Sequence, residues 1–192
     1  MDNRQAARRV LVLGGARSGK SSFAERMLAQ GTDTRPVTYA ATAPGYPDDA
    51  EWAERIARHR DQRPAHWRTV ETGREPALLA DLLADAEGPV LADCLTLWLT
   101  SAMDAVGAWD EPAWAEGAPR AALAQLTEGL AGAFGRAPGP AVLVSNEIGF
   151  GLVPPDPGSR RFRDELGRLN QACAAAADAV YLVVAGLPLR LK

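Results

Sequence analysis

The chain has 192 residues, of which 47% are apolar, and a formal net charge of −3. That length suits one α/β domain built around one core, and a weakly acidic chain gives no electrostatic case for DNA or RNA as the main partner. Two cysteines, Cys94 and Cys173, are too few for a disulfide framework, and the apolar run after the charged start is too short for a signal-peptide core. With no run approaching a membrane span, the expectation is a soluble cytoplasmic protein: one domain over residues 1–192, with residues 1–8 a flexible tail.

The first element is Val10-Leu11-Val12-Leu13, which reads as a buried parallel strand. It feeds Gly14-Gly15-Ala16-Arg17-Ser18-Gly19-Lys20-Ser21, which fits G-x-x-x-x-G-K-[ST], the phosphate-binding loop of P-loop nucleotide enzymes. Gly14, Gly15 and Gly19 are read as positions where the backbone takes positive φ and approaches an anion closely. Successive N–H groups then form an anion nest at the positive end of a helix starting near Lys20. Lys20 brings a charge to the β/γ-phosphates, and Ser21 offers a hydroxyl to Mg²⁺. Residues 21–29 read as the amphipathic helix the motif requires. The chain is expected to bind a nucleoside triphosphate.

Residues 35–42 predict a second strand, closed by Pro44, Gly45 and Pro47. Ligands of open parallel sheets sit beyond the carboxyl ends of the strands, which places Thr42 near the phosphate loop. Residues 48–63 predict a helix on which Trp52, Ile56, His59 and Arg63 share one stripe. A packed histidine with a paired arginine at the core's edge is one reading of that stripe, and a face overlooking a nucleotide is the other. Residues 67–71 predict a short strand, 75–86 an amphipathic helix, and Val90-Leu91-Ala92-Asp93 a buried strand. Asp93 ends that strand as a Walker-B-like carboxylate, a candidate Mg²⁺ ligand with Ser21. Residues 105–119, with Trp109 and Trp114, read as an exposed connection whose tryptophans pack or line a pocket. A helix over 116–136, a strand over 140–145 ending at Asn146-Glu147, a Pro/Gly-rich functional loop over 149–158, a helix over 159–177 and a last strand over 179–184 complete the chain. Strands alternating with helices predict an α/β, P-loop NTPase-like three-layer fold with a mostly parallel central sheet.

Four segments carry a resemblance: Gly-Gly-Ala-Arg-Ser-Gly-Lys-Ser; Arg-Ile-Ala-Arg-His-Arg-Asp-Gln-Arg-Pro-Ala-His-Trp-Arg-Thr-Val-Glu; Asp-Cys-Leu-Thr-Leu-Trp-Leu; and Asn-Glu-Ile-Gly-Phe-Gly-Leu-Val-Pro. From residue 10 to about 186 the chain resembles the adenosylcobinamide kinase/adenosylcobinamide-phosphate guanylyltransferase family of cobalamin biosynthesis. The resemblance implies two reactions. ATP or GTP phosphorylates the aminopropanol hydroxyl of adenosylcobinamide; GTP then guanylylates a histidine, and cobinamide phosphate takes the GMP to give adenosylcobinamide-GDP. It places the nucleophile at His59; Lys20, from the phosphate-loop motif itself, is the other catalytic residue. It also places nucleotide contacts at Gly14, Gly15, Ala16, Arg17, Ser18, Gly19, Lys20, Ser21, Ala41, Thr42, Ala43, Arg60, Asp61, Gln62, Arg63, Glu71 and Asp93, and implies a homotrimer.

The residues themselves are compatible with that role for His59. A neutral imidazole is a competent nucleophile near pH 7, and covalent catalysis divides one difficult transfer into two easier ones. Arg58, Arg60 and Arg63 would disfavour the imidazolium and neutralise charge developing on an α-phosphate. His66, outside the stripe, is read as structural. Glu147 and Asp93 are both candidates for the base acting on the substrate hydroxyl. The rivals are a simple P-loop kinase using Lys20 and Asp93, and a regulatory switch or a non-catalytic cobinamide-binding module. The switch would need a guanine motif such as Asn-Lys-x-Asp, which is missing, and the module would not need the intact Gly-Lys-Ser.

Overall fold

A computed structural model describes residues 7–31, 33–43, 54 and 64–192 of the chain. Apart from Glu54, the predicted helix over 48–63, and with it Trp52, Ile56, His59, Arg60, Asp61, Gln62 and Arg63, lies outside the described residues. The elements run β1 (Arg9–Gly14), α1 (Lys20–Ala29), β2 (Thr38–Ala41), β3 (Arg68–Glu71), α2 (Ala77–Ala84), β4 (Val90–Asp93), α3 (Leu95–Ala105), α4 (Glu111–Glu116), α5 (Ala118–Arg136), β5 (Ala141–Asn146), α6 (Pro157–Ala176), β6 (Ala179–Val184) and β7 (Leu187–Arg190). The strands form one seven-stranded sheet in the order β3-β2-β4-β5-β1-β6-β7. Every pairing is parallel except β6 with β7.

The layers follow from the two-residue period of strand side chains. In β1, Leu11 and Leu13 join a cluster with residues of α2, α3, α5 and α6, whereas Val10 and Val12 join a second cluster containing Ala24 of α1. β5 divides in the same way, with Ala141 and Leu143 on the first face and Val142 and Val144 on the second. Both faces of the central strands are therefore covered, which is why they are apolar at every position rather than alternating. This is the mostly parallel α/β architecture expected from the sequence.

The chain is already tied to the sheet at residue 8. The Arg8 carbonyl accepts from Ala141 N at 2.7 Å, and Asp178 accepts from the backbone N–H groups of Arg8 (3.1 Å) and Arg9 (2.9 Å). The connection over 105–119 is largely exposed, as expected, and its two tryptophans pack or line a cavity. Asp110 caps α4 by accepting from Ala113 N at 2.8 Å, Ala108 is fully buried, and the Arg161 guanidinium lies 4.6 Å above the Trp114 ring. The strand β7 lay beyond the predicted elements. Its hairpin turn consists of Ala185 (φ 51°) and Gly186 (φ 81°), the paired positive values of a tight two-residue turn.

Candidate functional site

The phosphate loop leaves β1 at Gly14 and enters α1 at Lys20, with Gly19 as the left-handed residue before the helix (φ 90°). Positive φ occurs at Gly19 and, unexpectedly, at Arg17 (φ 56°), but not at Gly14 or Gly15. The glycine requirement at Gly14 is instead steric. A Cβ there would stand 2.4 Å from Ser18 Oγ and 2.7 Å from the Val183 carbonyl, whereas at Gly15 it would meet nothing within 4 Å. The residue that must be small is the motif's first glycine, and its neighbour is free to vary. At Gly19 a Cβ would also crowd Gly186, whose N–H donates to the Ser18 carbonyl at 2.8 Å. The β6–β7 turn thus buttresses the loop from behind, a role that no local motif announces.

The loop's polar groups suit an anion. Lys20 Nζ rests on the Gly15 carbonyl at 3.2 Å, within the loop it would turn from to meet phosphate oxygens. Ser18 Oγ is buried and has no hydrogen-bond partner among the described residues. The N-terminus of α1 has no side-chain cap, so its donors face the same space.

The other predicted residues line the same carboxyl edge of the sheet. Register pairs Ala41 with both Glu71 and Asp93, and Gly14 with Asn146. Asp93 is level with Val144, so the edge runs Glu71, Ala41, Asp93 across β3, β2 and β4 and then steps two residues further out to Asn146 and Gly14 on β5 and β1. Four inter-strand steps of about 4.8 Å separate its ends by about 19 Å. Glu71 and Lys20 consequently meet opposite ends of anything that touches both. Thr42 is buried between β2 and β4, donating to the Cys94 carbonyl at 2.7 Å, and Ala43 follows it; two strands lie between them and the phosphate loop. Asp93 is half-buried and accepts from the Tyr39 hydroxyl at 3.2 Å. The neighbouring Cys94 thiol is pushed up by burial, and further by the Asp93 charge, so it stays protonated and is no rival nucleophile. His66 is exposed in the turn before β3, which gives it no packing role.

The end of β5 is held by residues that the sequence reading did not single out. Thr96 Oγ1 accepts from Asn146 N (3.2 Å) and Asn146 Nδ2 (2.9 Å), and Asn170 Nδ2 donates to the Asn146 carbonyl at 3.0 Å. Glu147 N donates to the Gly14 carbonyl at 3.2 Å, joining this strand end to the phosphate loop. Asn146 is thereby fixed between α3 and α6, with Glu147 beside the phosphates' expected position.

Among the described residues, no three His, Cys, Asp or Glu side chains gather as a metal cluster, and no helix is long and apolar enough to cross a membrane.

Comparisons with known proteins add to this geometry. A structure titled as a prototypical ATPase from the type III secretion system of pathogenic bacteria superposes with a TM-score of 0.53 at 14% identity. That match covers 95% of this chain and 56% of the other, and it supports the P-loop fold alone. The chain is 47% identical over 187 residues to the bifunctional adenosylcobalamin biosynthesis protein CobP of Pseudomonas aeruginosa, covering 96% of this chain and 97% of that one. It is 42% identical over 186 residues to the corresponding protein CobU of Salmonella typhimurium, covering 95% and 99%. The sequence model described as cobinamide kinase / cobinamide phosphate guanyltransferase matches residues 10–191. With a nucleotide-binding loop in place and the match spanning nearly its whole length, the chain belongs to the cobinamide kinase / cobinamide phosphate guanyltransferase family of enzymes.

Proposed function

We propose that both transfers of this family use one phosphate loop here and differ in the nucleophile brought to it. The observation that carries the reading is the convergence of Lys20, Asp93 and Glu147 on neighbouring strand ends, beside a loop whose Gly14 has no room for a side chain. In the kinase step the aminopropanol hydroxyl of adenosylcobinamide attacks the γ-phosphorus of ATP or GTP, and the nucleoside diphosphate leaves. In the second step an imidazole nitrogen of His59 attacks the α-phosphorus of GTP and pyrophosphate leaves. A phosphate oxygen of cobinamide phosphate then displaces the histidine, giving adenosylcobinamide-GDP.

Lys20 and the loop N–H groups hold the phosphates and meet the charge that develops on them. The hydroxyl of Ser21 and the carboxylate of Asp93 are hard oxygen donors, suited to Mg²⁺ held mainly by phosphates and water. Such an ion supplies charge neutralisation at the phosphates. Glu147 is anchored by accepting from Gly149 N at 2.6 Å and adjoins the phosphate loop through its own N–H, which, with Asp93 given to Mg²⁺, favours it as the base for the hydroxyl. Ala41, Thr42, Ala43 and Glu71 are read as contacts towards the far end of the nucleotide, with Arg60, Asp61, Gln62 and Arg63 joining them from the connection between β2 and β3. The assignment of His59 rests on its match within Arg-Ile-Ala-Arg-His-Arg. A cytoplasmic homotrimer is part of the same proposal: the exposed Leu187 and Leu189 on edge strand β7, with Val184 and Leu191 beside them, present an apolar strip suited to another copy.

The test uses α-labelled GTP with wild type, His59→Ala and His66→Ala, and a separate kinase assay. Wild type should retain label through denaturation, as a phosphoramidate lost in acid and kept in base. His59→Ala should take up none while keeping part of its kinase activity, because the substrate hydroxyl attacks the γ-phosphate without it. His66→Ala should keep both. Covalent GMP on His59→Ala would place the nucleophile elsewhere.

A further inference from the structure

The loop that follows β5 runs from Glu147 to the cap residue Asp156, and its apolar side chains point outward. Leu152 is 96% exposed, Phe150 85% and Val153 70%. Mobile loops can hide such residues, but this one is pinned. Arg163 of α6 donates from Nη1 to the Leu152 carbonyl (2.8 Å) and from Nη2 to the Gly149 carbonyl (2.7 Å). Arg160 donates to the Pro154 carbonyl at 3.0 Å, and Glu147 takes the Gly149 N–H. Main-chain hydrogen bonds hold the side chains where water meets them, which costs free energy unless something covers them.

Beneath the loop is a cavity of about 410 Å³, walled by Trp109, Ile148, Leu152, Pro154 and Phe162, with Thr100, Ser159 and Arg163 as its polar lining. Trp109 and Phe162 stack with ring centroids 6.2 Å apart, giving a flat aromatic wall. The volume is within the range of small-molecule sites, about 300–1,000 Å³, and the lining has the usual character of a mainly apolar surface with few polar groups. Its position is informative. Ile148 directly follows Glu147, whose N–H is bonded to Gly14, and Thr100 lies one turn along α3 from Thr96, which holds Asn146. The cavity therefore adjoins the segment that is bonded to the phosphate loop.

We propose that this cavity and the exposed loop above it bind the corrin macrocycle of the cobinamide acceptor. The inference rests on the function proposed above and assigns the acceptor's place within it. A corrin is a broad, flat ring with apolar faces and a fringe of amides. Its edge fits against Trp109, Leu152 and Phe162, and its amides meet the hydroxyls of Thr100 and Ser159. The ring is wider than the cavity, so the remainder lies across Phe150 and Val153. The pinned loop spends little ordering entropy on binding.

The experiment measures adenosylcobinamide binding by equilibrium dialysis and visible absorbance, without nucleotide. GTP binding and mass by light scattering are read on the same samples. Leu152→Asp, at a fully exposed position with nothing to lose in folding, should raise the corrinoid Kd about tenfold to a hundredfold while leaving GTP affinity and mass unchanged. Trp109→Ala should act in the same direction. An unchanged corrinoid Kd in both variants overturns the cavity assignment and leaves the two-reaction reading standing. A wild-type protein that binds GTP but no adenosylcobinamide overturns that reading and this one together. A fall in mass accompanying the lost affinity gives the loop to contacts between copies of the chain and overturns the proposal.

Discussion

Two loops leave the carboxyl edge from adjacent strands, and they are built for opposite ligands. The phosphate loop after β1 offers backbone N–H groups, a lysine and an orphaned hydroxyl at Ser18. The loop after β5 offers Phe150, Leu152 and Val153 to solvent. Both are held in place, but by different means. The first is held by close backbone packing against Val183 and Gly186, and the second by two arginines of α6 that capture its carbonyls. The contrast shows how one edge can receive a polyanion and an apolar ring on neighbouring loops. Main chain grips the charge and side chains grip the ring, and the link from Glu147 N to the Gly14 carbonyl keeps the two in register.

The contrast breaks most visibly at Lys20. Lys20→Ala should lower kinase and guanylyl transfer together, by about a hundredfold or more each, since a lost donor at a developing charge costs about 3 kcal/mol. Corrinoid binding should survive. Steady-state rates for the two half-reactions check this, and unimpaired guanylyl transfer would mean two separate nucleotide sites.

A smaller effect separates two adjacent glycines. Gly14→Ala drives a methyl into Ser18 Oγ and the Val183 carbonyl, and should weaken GTP binding by about tenfold to a hundredfold, the usual range for overpacking. Gly15→Ala has open space and should bind GTP like wild type. Calorimetric titration of the two variants decides it; equal losses would mean that the loop's grip depends on backbone freedom rather than on the packing at Gly14.

The smallest effect lies at the opposite edge and serves as the control for both loops. Asp178 forms an ion pair with Arg9 at 2.6 Å, and the Arg9 hydrogen bond holds its carboxyl down to about 2. A depressed carboxylate adds stability above its ordinary range, near pH 4, and loses it as pH falls toward 2. Both side chains are about a third exposed, so screening reduces the pair's contribution to about 1 kcal/mol. Asp178→Asn should lower the denaturation midpoint at pH 7, narrow that deficit below pH 4, and leave GTP and corrinoid affinities unchanged. A deficit that persists undiminished at pH 2 would assign the loss to packing rather than to charge.

The sequence by itself determined the phosphate loop, the parallel α/β order and the acidic strand end at Asp93, because each depends on local chemistry. A glycine-rich turn between an apolar strand and a helix has few other structures open to it, and buried strands are apolar at every position. Helix α3 was less legible. Leu-Thr-Leu-Trp-Leu is apolar on most of its circumference, and its N-cap, Cys94, makes no side-chain cap bond, so neither a periodic stripe nor a start signal marks it. Only the tertiary structure decided that the Ala185-Gly186 turn supports the phosphate loop, that Thr96 and Asn170 hold the end of β5, and that Leu152 stays in solvent. Each of these depends on groups far apart in the chain, such as Gly186 with Ser18 and Arg163 with Leu152, and no local periodicity encodes such a meeting. The outward apolar loop is the sharpest case. Read along the chain, its residues could as well be buried, and it is the arginines of α6 that hold them open.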